Sequence, residues 1–284
     1  MSLVPISSML PKAESGGYAV GAFNCNNMEI VQAIIAAAEA ENSPVIMQAS
    51  QGAIKYAGIE YITAIAGVAA AKAKVPVALH LDHGTSFEQV MECIRSGFSS
   101  VMIDGSKLPL EENMAITKRV LEAARAVGVS VEAELGRIGG TEDDISVSEK
   151  EALFTNPDEA EFFVRGTGVD ALAVAVGTAH GQYRGVPKLE LELLKKIKEK
   201  VKIPLVLHGS SGVPEDAIRE AIAIGISKVN IDTDIRIAFC QAVRDKLDSD
   251  PKEIDPRQIL GPAREAAIEI IREKIRIFGS AGKA

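Results

Sequence analysis

Four histidines, His80, His83, His180 and His208, are the residues of this sequence with the clearest capacity for metal chemistry. Three neutral imidazoles that converge on one point and leave a fourth position open form a catalytic zinc site. The histidines are too widely spaced to form a local metal motif, so a shared site requires a fold that brings distant segments together. We expect His83, His180 and His208 to form this site.

His80 differs from the other three because of its place in the run His80-Leu81-Asp82-His83. Alternation along a strand puts the side chains of His80 and Asp82 on the same face. His80 is therefore expected to hydrogen-bond within the site and not to bind the metal itself.

Carboxylates accompany the histidines. Glu132 and Glu134 share one face of the run VEAEL, and Asp104 follows another apolar run. Such acids also occur as caps of the next helix, where they stabilise the helix N-terminus. At this point the residues alone leave both interpretations open.

Two segments rich in glycine and hydroxyl side chains have the composition of a phosphate site. They are His208–Gly212, of sequence HGSSG, and Asn230–Thr233, of sequence NIDT. Glycine lets backbone N–H groups approach an oxyanion, and serine and threonine hydroxyls add donors. Gly181, directly after His180, adds a further candidate donor.

The elements that must position these residues alternate along the chain. Short β-branched or apolar runs occur at 18–23, 44–49, 75–81, about 99–103, 129–134, 169–176, 203–207 and 226–231. Segments with helical periodicity lie between them, at Asn27–Glu41, Phe87–Ser96, Leu110–Val127, Pro157–Gly166, Leu189–Lys200 and Pro214–Ile224. Eight strands alternating with helices predict a parallel sheet, and a (β/α)8 barrel needs about 250 residues. We therefore predict an α/β fold, a single (β/α)8 TIM barrel over residues 1–284, with extra C-terminal helices.

A barrel explains where the polar residues fall. Active sites in this fold lie at the C-terminal ends of the strands. Each predicted strand ends at or shortly before a polar or ionisable residue: Asn24, Ser50, Asp82 with His83, Asp104, Glu134, His180, His208 and Asn230. The tail from about Ile235 is predicted to be helical, with breaks at Asp255-Pro256 and Gly261-Pro262.

Composition limits the classes of binding partner and the cellular compartment that we expect for this protein. The 284 residues contain 31 Lys plus Arg against 39 Asp plus Glu, a net charge of −8, which argues against nucleic acid and anionic membranes as partners. Three cysteines without CxxC spacing indicate reduced thiols. No stretch approaches the length of a membrane span, and the N-terminal residues do not resemble a signal peptide. A cytoplasmic protein is expected.

Several motifs of the chain resemble those of the class II (metal-dependent) ketose-bisphosphate aldolases. The two longest are VPVALHLDHG at 75–84 and VEAELGRIGGTED at 131–143. Shorter matches follow in the same order as in the family: TAHG at 178–181, LHGSSG at 207–212, NIDTD at 230–234 and DPRQILGPAREA at 255–266. The resemblance runs from YAVGAFN near the N-terminus to the C-terminus without a large insertion.

The resemblance implies a role for each matching residue. His83, His180 and His208 would hold the catalytic Zn²⁺, and Glu134 and Asp104 would bind a second or displaced ion. Asp82 would exchange the proton of the C4 hydroxyl, and Glu142, on a glycine-flanked loop, the proton at C3. The substrate-binding residues would be Asn24, Ser50, Gly181, Gly209, Ser210, Ser211, Asn230, Asp232, Thr233 and Arg257, the last from across a dimer interface.

The implied reaction is the reversible cleavage of fructose 1,6-bisphosphate to dihydroxyacetone phosphate and glyceraldehyde 3-phosphate. Its partners are thus a sugar bisphosphate and triose phosphates, within a homodimer or higher homo-oligomer. A second divalent ion and a monovalent cation, Na⁺ or K⁺, are further cofactors that the family suggests.

Other functions remain open. The tagatose 1,6-bisphosphate aldolases resemble the chain at TAHG and at ALFTNP, residues 152–157, although the NIDTD block and the C-terminal tail favour fructose. A Schiff-base aldolase needs a buried lysine, for which Lys228 is the candidate. A metal-dependent hydrolase usually carries HxH on its first strand, which this chain lacks. A non-catalytic metal-binding barrel or scaffold predicts loss of some site residue, and none is missing.

Overall fold

The computed structural model of the chain describes residues 3–142, 145–148, 152–183 and 185–284. In these ranges eight parallel strands pair in sequence order, and the first also pairs with the last, which closes a barrel. The barrel strands are β1 (Val20–Asn24), β2 (Val45–Ser50), β3 (Val77–Gly84), β4 (Ser100–Ile103), β5 (Ser130–Leu135), β6 (Ala171–Val174), β7 (Leu205–Leu207) and β8 (Ile226–Ile231). All eight coincide with the predicted runs, and the predicted TIM-barrel fold is confirmed.

Helices surround the barrel. They are α1 (Leu10–Gly16), α2 (Met28–Ala40), α3 (Gln51–Ala57), α4 (Ile59–Lys72), α5 (Phe87–Ser96), α6 (Leu110–Ala126), α7 (Pro157–Thr167), α8 (Leu191–Lys200), α9 (Glu215–Ile224), α10 (Thr233–Ser249) and α11 (Pro256–Ile277). The six predicted helices lie within two residues of α2 and α5–α9 at each end. Helices α1, α3 and α4 were not predicted from the sequence.

The helix ends carry the signals that the sequence offers. Ser86 precedes α5, and its hydroxyl accepts a hydrogen bond from the N–H of Gln89. Asn156 and Pro157 begin α7 in the same manner, and a left-handed Gly168 ends it. A side-chain acceptor at the start and a glycine after the end satisfy backbone groups that have no partner within the helix. These local signals explain why the bounds of α5 and α7 follow from sequence.

The inward-facing side chains of the barrel change character from bottom to top. At the lower end they are apolar, as in Val20, Ile46, Ala78 and Val206, which pack against the N-terminal segment. That segment consists of a 3₁₀ turn at Ile6–Ser8 and α1, and it closes the lower opening of the barrel. Higher up, the strands carry amide, imidazole and carboxyl groups, among them Gln48, His80, Asp82, Glu132, Glu134 and Asn230. Most of the polar side chains therefore lie towards the C-terminal ends of the strands, and Lys228, the register partner of Val20 and Val206, lies below them.

A small sheet rises beside this upper end. The strand Gly139–Glu142 pairs antiparallel with Ile145–Val147 and parallel with the short strand Ala179–His180. We call the two antiparallel strands Gly139–Glu142 and Ile145–Val147 together the arm. This small sheet was not predicted from the sequence.

The predicted helix break at Gly261-Pro262 is wrong, since α11 continues through Pro262. Proline at this position leaves the carbonyl of Gln258 without its helical N–H partner. Both residues are exposed, so water can solvate that carbonyl. The buried residues Ala263, Ala267 and Ile271, spaced four apart, hold the helix against the barrel. The predicted break at Asp255-Pro256 does coincide with the start of α11.

Within the described ranges, no helix combines the length and the apolar character that crossing a bilayer requires.

Two adjacent phenylalanines on α7 provide a test of the outer core. Phe163 is fully buried, whereas Phe162 is 59% exposed. We expect Phe163→Ala to lower the free energy of unfolding by about 3–5 kcal/mol, because it removes buried apolar area and leaves a cavity. The matched control Phe162→Ala should change it by no more than about 0.5 kcal/mol. Urea unfolding followed by circular dichroism measures both, and equal losses in the two variants would contradict the placement of α7.

Candidate metal centre and active site

His83 is oriented by an irregularity at the end of β3. Its φ is 50°, in the left-handed region that residues other than glycine rarely adopt. The register between β3 and β4 shifts at the same point, between Leu81 and Gly84. Regular alternation would turn the His83 side chain to the face opposite Asp82, and a bulge of this kind redirects it. The ring instead lies against those of His180 and His208, with centroid distances of 5.0 and 4.7 Å.

Three histidines thus converge at the upper end of the barrel. One ligand nitrogen from each of His83, His180 and His208 lies within 4.8 Å of the other two. His80, the fourth histidine, is outside this group, and its Nδ1 lies 2.8 Å from the hydroxyl of Ser100.

Hydrogen bonds to carboxylates decide which nitrogen of His83 and which nitrogen of His208 face the cluster. His83 Nδ1 is 3.0 Å from Asp104 Oδ2, and His208 Nε2 is 2.7 Å from Glu132 Oε1. Because a carboxylate accepts, these nitrogens carry the protons. The remaining nitrogens, His83 Nε2 and His208 Nδ1, then face one another at 2.9 Å. Two acceptor lone pairs so close require a cation or a shared proton between them, and zinc bound by imidazole meets that requirement.

The two rings differ in electrostatic environment. Burial disfavours the charged form of both. For His83 the hydrogen bond to Asp104 and the nearby charges of Asp82 and Glu134 outweigh it and raise the pKa well above its usual value. For His208 burial dominates over the hydrogen bond to Glu132 and lowers the pKa. The surroundings of His83 therefore attract positive charge, while those of His208 keep its ring neutral. Both properties favour a metal ion bound between the two imidazoles.

Asp104 and Glu134 form a second group of candidate ligands with His83, again within 4.8 Å. Burial and the charge of Asp104 raise the pKa of Glu134 well above its usual range. Although burial opposes ionisation of Asp104, its hydrogen bonds with His83 and Ser106 lower its pKa. Glu134 Oε2 is buried and has no hydrogen-bond partner among the described residues. An unsatisfied carboxylate oxygen beside imidazole nitrogens fits a cation site.

Asp82 is held next to the histidines but by different partners. Its carboxylate accepts hydrogen bonds from Asn24 Nδ2 at 2.9 Å, Gln48 Nε2 at 3.2 Å and Asn230 Nδ2 at 3.3 Å. Gln48 also donates to Asn24 Oδ1 at 2.6 Å. The three amides fix an acceptor carboxylate at the strand ends. Gln48 was not predicted as a site residue, although strand alternation puts its side chain on the same face as that of Ser50.

The two predicted phosphate segments meet at the top of β7 and β8. The hydroxyl of Ser211 accepts hydrogen bonds from the N–H groups of Asp232 and Asp234, both at 3.3 Å. Gly209 has a φ of 60°, and a Cβ there would lie 2.5 Å from the carbonyl oxygen of Ala179. Only glycine therefore permits this approach of the loop to the segment that precedes His180. The Ser210 hydroxyl, by contrast, turns back and donates to the carbonyl of Leu207.

A groove of about 460 Å³ opens beside these loops. Gly181, Asp232 and Thr233 line it, together with two arginines that the sequence analysis missed, Arg236 and Arg244. Arg236 Nε lies 2.8 Å from Asp232 Oδ1. Arg236 lies one helical turn after Asp232, and this spacing could have indicated that the two side chains meet beside the phosphate loop. The groove offers cationic side chains and the N-terminus of α10 to an anion.

Lys228 and Glu132 form a fully buried ion pair beneath the histidines, with Nζ 2.9 Å from Glu132 Oε2. Burial opposes ionisation of Glu132, but the charge of Lys228 and the hydrogen bond from His208 hold its pKa well below its usual range. His80 Nε2 lies 3.6 Å from the same oxygen, and burial with the charge of Lys228 lowers the pKa of His80. A Schiff base requires a neutral amine that reaches the substrate, which an ammonium in this pair does not supply.

The remaining predicted residues are placed less centrally. Ser50, the register partner of Asp82, accepts a hydrogen bond from Ala53 N at the start of α3. Arg257 lies at the exposed start of α11, where its guanidinium pairs with Asp255 at 2.7 Å. Glu142 ends the first strand of the arm, and its side chain lies outside the described part of the structure.

Comparison with known proteins agrees with this geometry. The fructose-bisphosphate aldolase of Thermus caldophilus is 49% identical over 305 aligned positions, covering 99% of this chain and 100% of the relative. That of Geobacillus stearothermophilus is 50% identical over 287 positions, covering 100% and 99%. The crystal structure of the YdjI aldolase from Escherichia coli K12 superposes with a TM-score of 0.88 at 35% identity and covers 99% of both chains.

A sequence profile of the class-II fructose-bisphosphate aldolases matches residues 4–283. The match spans the barrel, the histidine cluster and the phosphate loops together. The chain belongs to the class-II fructose-bisphosphate aldolase family.

Proposed function

We propose that this protein cleaves fructose 1,6-bisphosphate reversibly to dihydroxyacetone phosphate and glyceraldehyde 3-phosphate. The observation that carries the proposal is the convergence of three imidazoles beside a carboxylate, Asp82, that is held by amides. Both curated relatives described above are named fructose-bisphosphate aldolase, which favours fructose over tagatose.

His83, His180 and His208 would hold the catalytic zinc, each through the nitrogen that faces the cluster. Zinc bound there supplies a Lewis acid for the ketone oxygen of the substrate. The group of His83, Asp104 and Glu134 supports a second position for a divalent ion. A monovalent cation, Na⁺ or K⁺, is part of the proposal from the family alone.

Asp82 would act on the C4 hydroxyl of the substrate. The Asp82 carboxylate accepts the hydroxyl proton as the C3–C4 bond breaks. The electron pair of that bond remains on C3, and C4 becomes the aldehyde carbon. The three amides orient the carboxylate and keep it off the metal position. In the reverse direction Asp82 returns the proton.

Glu142 would deliver the proton to C3, which completes dihydroxyacetone phosphate. The arm that carries it begins at Gly139 and Gly140, and glycines allow such a segment to close over a substrate and exclude water. Backbone pairing of the arm with Ala179–His180 supports a position next to the metal ligands.

The phosphate of the dihydroxyacetone half would bind at Gly181, Gly209–Ser211 and Asn230–Thr233, where N–H groups and hydroxyls surround the groove. Arg236, which lines the same groove, is a further candidate for an anionic group. Asn24 and Ser50 would contact the aldehyde half. Arg257 of a second copy would bind the distal phosphate, which the exposure of its side chain permits.

That last contact requires a homodimer or a higher homo-oligomer. We further propose that residues 1–284 act as one barrel domain and that the protein works in the cytoplasm, without nucleic acid or membrane partners.

Coupled assays with fructose 1,6-bisphosphate and tagatose 1,6-bisphosphate, each with and without a chelator, test the function directly. We expect chelator-sensitive cleavage with a higher kcat/KM for the fructose sugar. A higher value for the tagatose sugar would reassign the substrate, and no cleavage of either by zinc-loaded protein would refute the proposal.

The four histidines allow an internally controlled test of the metal site. His83→Ala, His180→Ala and His208→Ala should each lose zinc on dialysis and fall to background turnover, because each removes one of three protein ligands. The matched variant His80→Ala should keep one zinc per chain, since His80 lies outside the cluster. Metal analysis of the dialysed proteins measures this, and stoichiometric zinc in any of the first three would exclude that ligand.

The two proton-transfer roles can be separated by a partial reaction. Asp82→Asn and Glu142→Gln should each lower kcat for cleavage by about 100-fold or more, the usual scale for a general acid or base. The carbon that is C3 of the hexose is the hydroxymethyl carbon of dihydroxyacetone phosphate, which has no equivalent of C4. Exchange of a hydroxymethyl proton with solvent should therefore persist in Asp82→Asn and be lost in Glu142→Gln. NMR in deuterated water measures the exchange, and the opposite pattern would reverse the two roles.

A further inference from the structure

Lys228 is a fully buried cation directly beneath the proposed metal position. The proposed reaction assigns it no role. It extends inward from β8, and Glu132 extends inward from β5 to meet it. A buried lysine is expensive to desolvate unless it is paired and hydrogen-bonded. The barrel could hold an apolar pair here at lower cost, so the retained charge needs an explanation from the site above it.

Glu132 connects this lysine to a metal ligand. One carboxylate oxygen, Oε2, accepts from Lys228 Nζ at 2.9 Å, and the other, Oε1, accepts from His208 Nε2 at 2.7 Å. Both oxygens are thus engaged, and the carboxylate has a single orientation. With its Nε2 donating downward, His208 has only Nδ1 left for the metal, and this atom lies 2.9 Å from His83 Nε2.

His80 is the competing donor for the same carboxylate. Its Nε2 lies 3.6 Å from Glu132 Oε2, too far for a hydrogen bond, and has no partner among the described residues. Without the ammonium of Lys228, the carboxylate can turn towards His80 and weaken its bond to His208. Lys228 therefore determines whether the carboxylate of Glu132 accepts a hydrogen bond from His208 or from His80.

We propose that Lys228 is a positioning residue of the metal centre, which fixes Glu132 on His208 so that His208 presents Nδ1 to the metal. This inference rests on the proposed zinc site. It concerns the tautomer and the orientation of one ligand and assigns Lys228 no contact with the substrate.

The test compares Lys228→Met with Lys198→Met. Methionine is unbranched and one heavy atom shorter than lysine, so it fills most of the same space without the charge. The control removes a lysine that pairs with Glu14 outside the metal site, so it reports the loss of an ion pair as such. Zinc affinity is measured by competition with a chromophoric chelator, and cobalt(II) substitution reports ligand geometry by visible absorption. The tautomers of the four histidines are read in the metal-free protein by long-range ¹H–¹⁵N NMR.

We expect Lys228→Met to bind zinc about 10- to 100-fold more weakly, the usual effect of losing a residue that orients a ligand. Its cobalt spectrum should differ from that of the wild type, and His208 should no longer be confined to the Nε2–H tautomer. Lys198→Met should match the wild type in all three measurements. Wild-type zinc affinity and an unchanged cobalt spectrum in Lys228→Met would overturn the inference.

Lys228→Met leaves Glu132 as an uncompensated buried charge, which can prevent folding. The double variant Lys228→Met/Glu132→Gln removes that charge, and its amide can still accept from His208. Because nothing then holds the amide in this orientation, zinc affinity should stay at least about 10-fold below the wild-type value. Recovery of wild-type affinity and cobalt spectrum in the double variant would mean that Lys228 only balances charge, which overturns the inference.

The same measurements separate this inference from the proposed function. If the wild-type protein binds no zinc, the proposed metal site fails and the inference fails with it. If the wild type binds one zinc and Lys228→Met is indistinguishable from it, the inference alone fails.

Discussion

The carboxylate of Glu132 is fully buried in the middle of the barrel and is neutralised from two sides, by the ammonium of Lys228 and by the N–H of His208. A closed barrel directs alternate side chains into its interior and gives them no access to bulk water. A charge placed there is stable only when each of its oxygens has a partner. Satisfying this carboxylate fixes one imidazole in position and tautomer, and the histidine cluster above it is arranged around that ring.

The same physical rule separates the proposed metal ligands from the proposed base. Imidazoles whose outer nitrogen donates to a carboxylate, as in His83 with Asp104, present a bare nitrogen to a cation. Asp82 instead receives amide N–H groups from Asn24, Gln48 and Asn230, which occupy its oxygens without adding charge. Two carboxylates on neighbouring strand ends thereby acquire different chemistry through their partners. Asp104 orients the proposed ligand His83, and Asp82 remains available to accept a proton.

The sequence was sufficient to predict what depends on local periodicity. Short apolar runs identified the eight strands, and helical periodicity identified α2 and α5–α9. The predicted barrel also brought His83, His180 and His208 together, but no pattern in the sequence indicated that Lys228 pairs with Glu132. The left-handed backbone of His83 was also beyond it, since a non-glycine residue at a positive φ is held there by surrounding structure. The break expected at Pro262 was wrong because burial of one face of α11 outweighed the loss of one hydrogen bond.

His180 is attached to the fold in a different way from His83 and His208. His83 lies at the end of β3 and His208 directly follows β7, whereas His180 lies on a short strand that pairs with Gly139 and Gly140 of the arm. Gly140 has a φ of 98°, and a Cβ there would lie 2.2 Å from the carbonyl oxygen of His180. The arm and His180 are therefore joined by backbone hydrogen bonds that only glycine permits at this distance. A displacement of the arm that preserves this pairing must also displace His180, so two of the proposed ligands are fixed by the barrel and the third follows the arm.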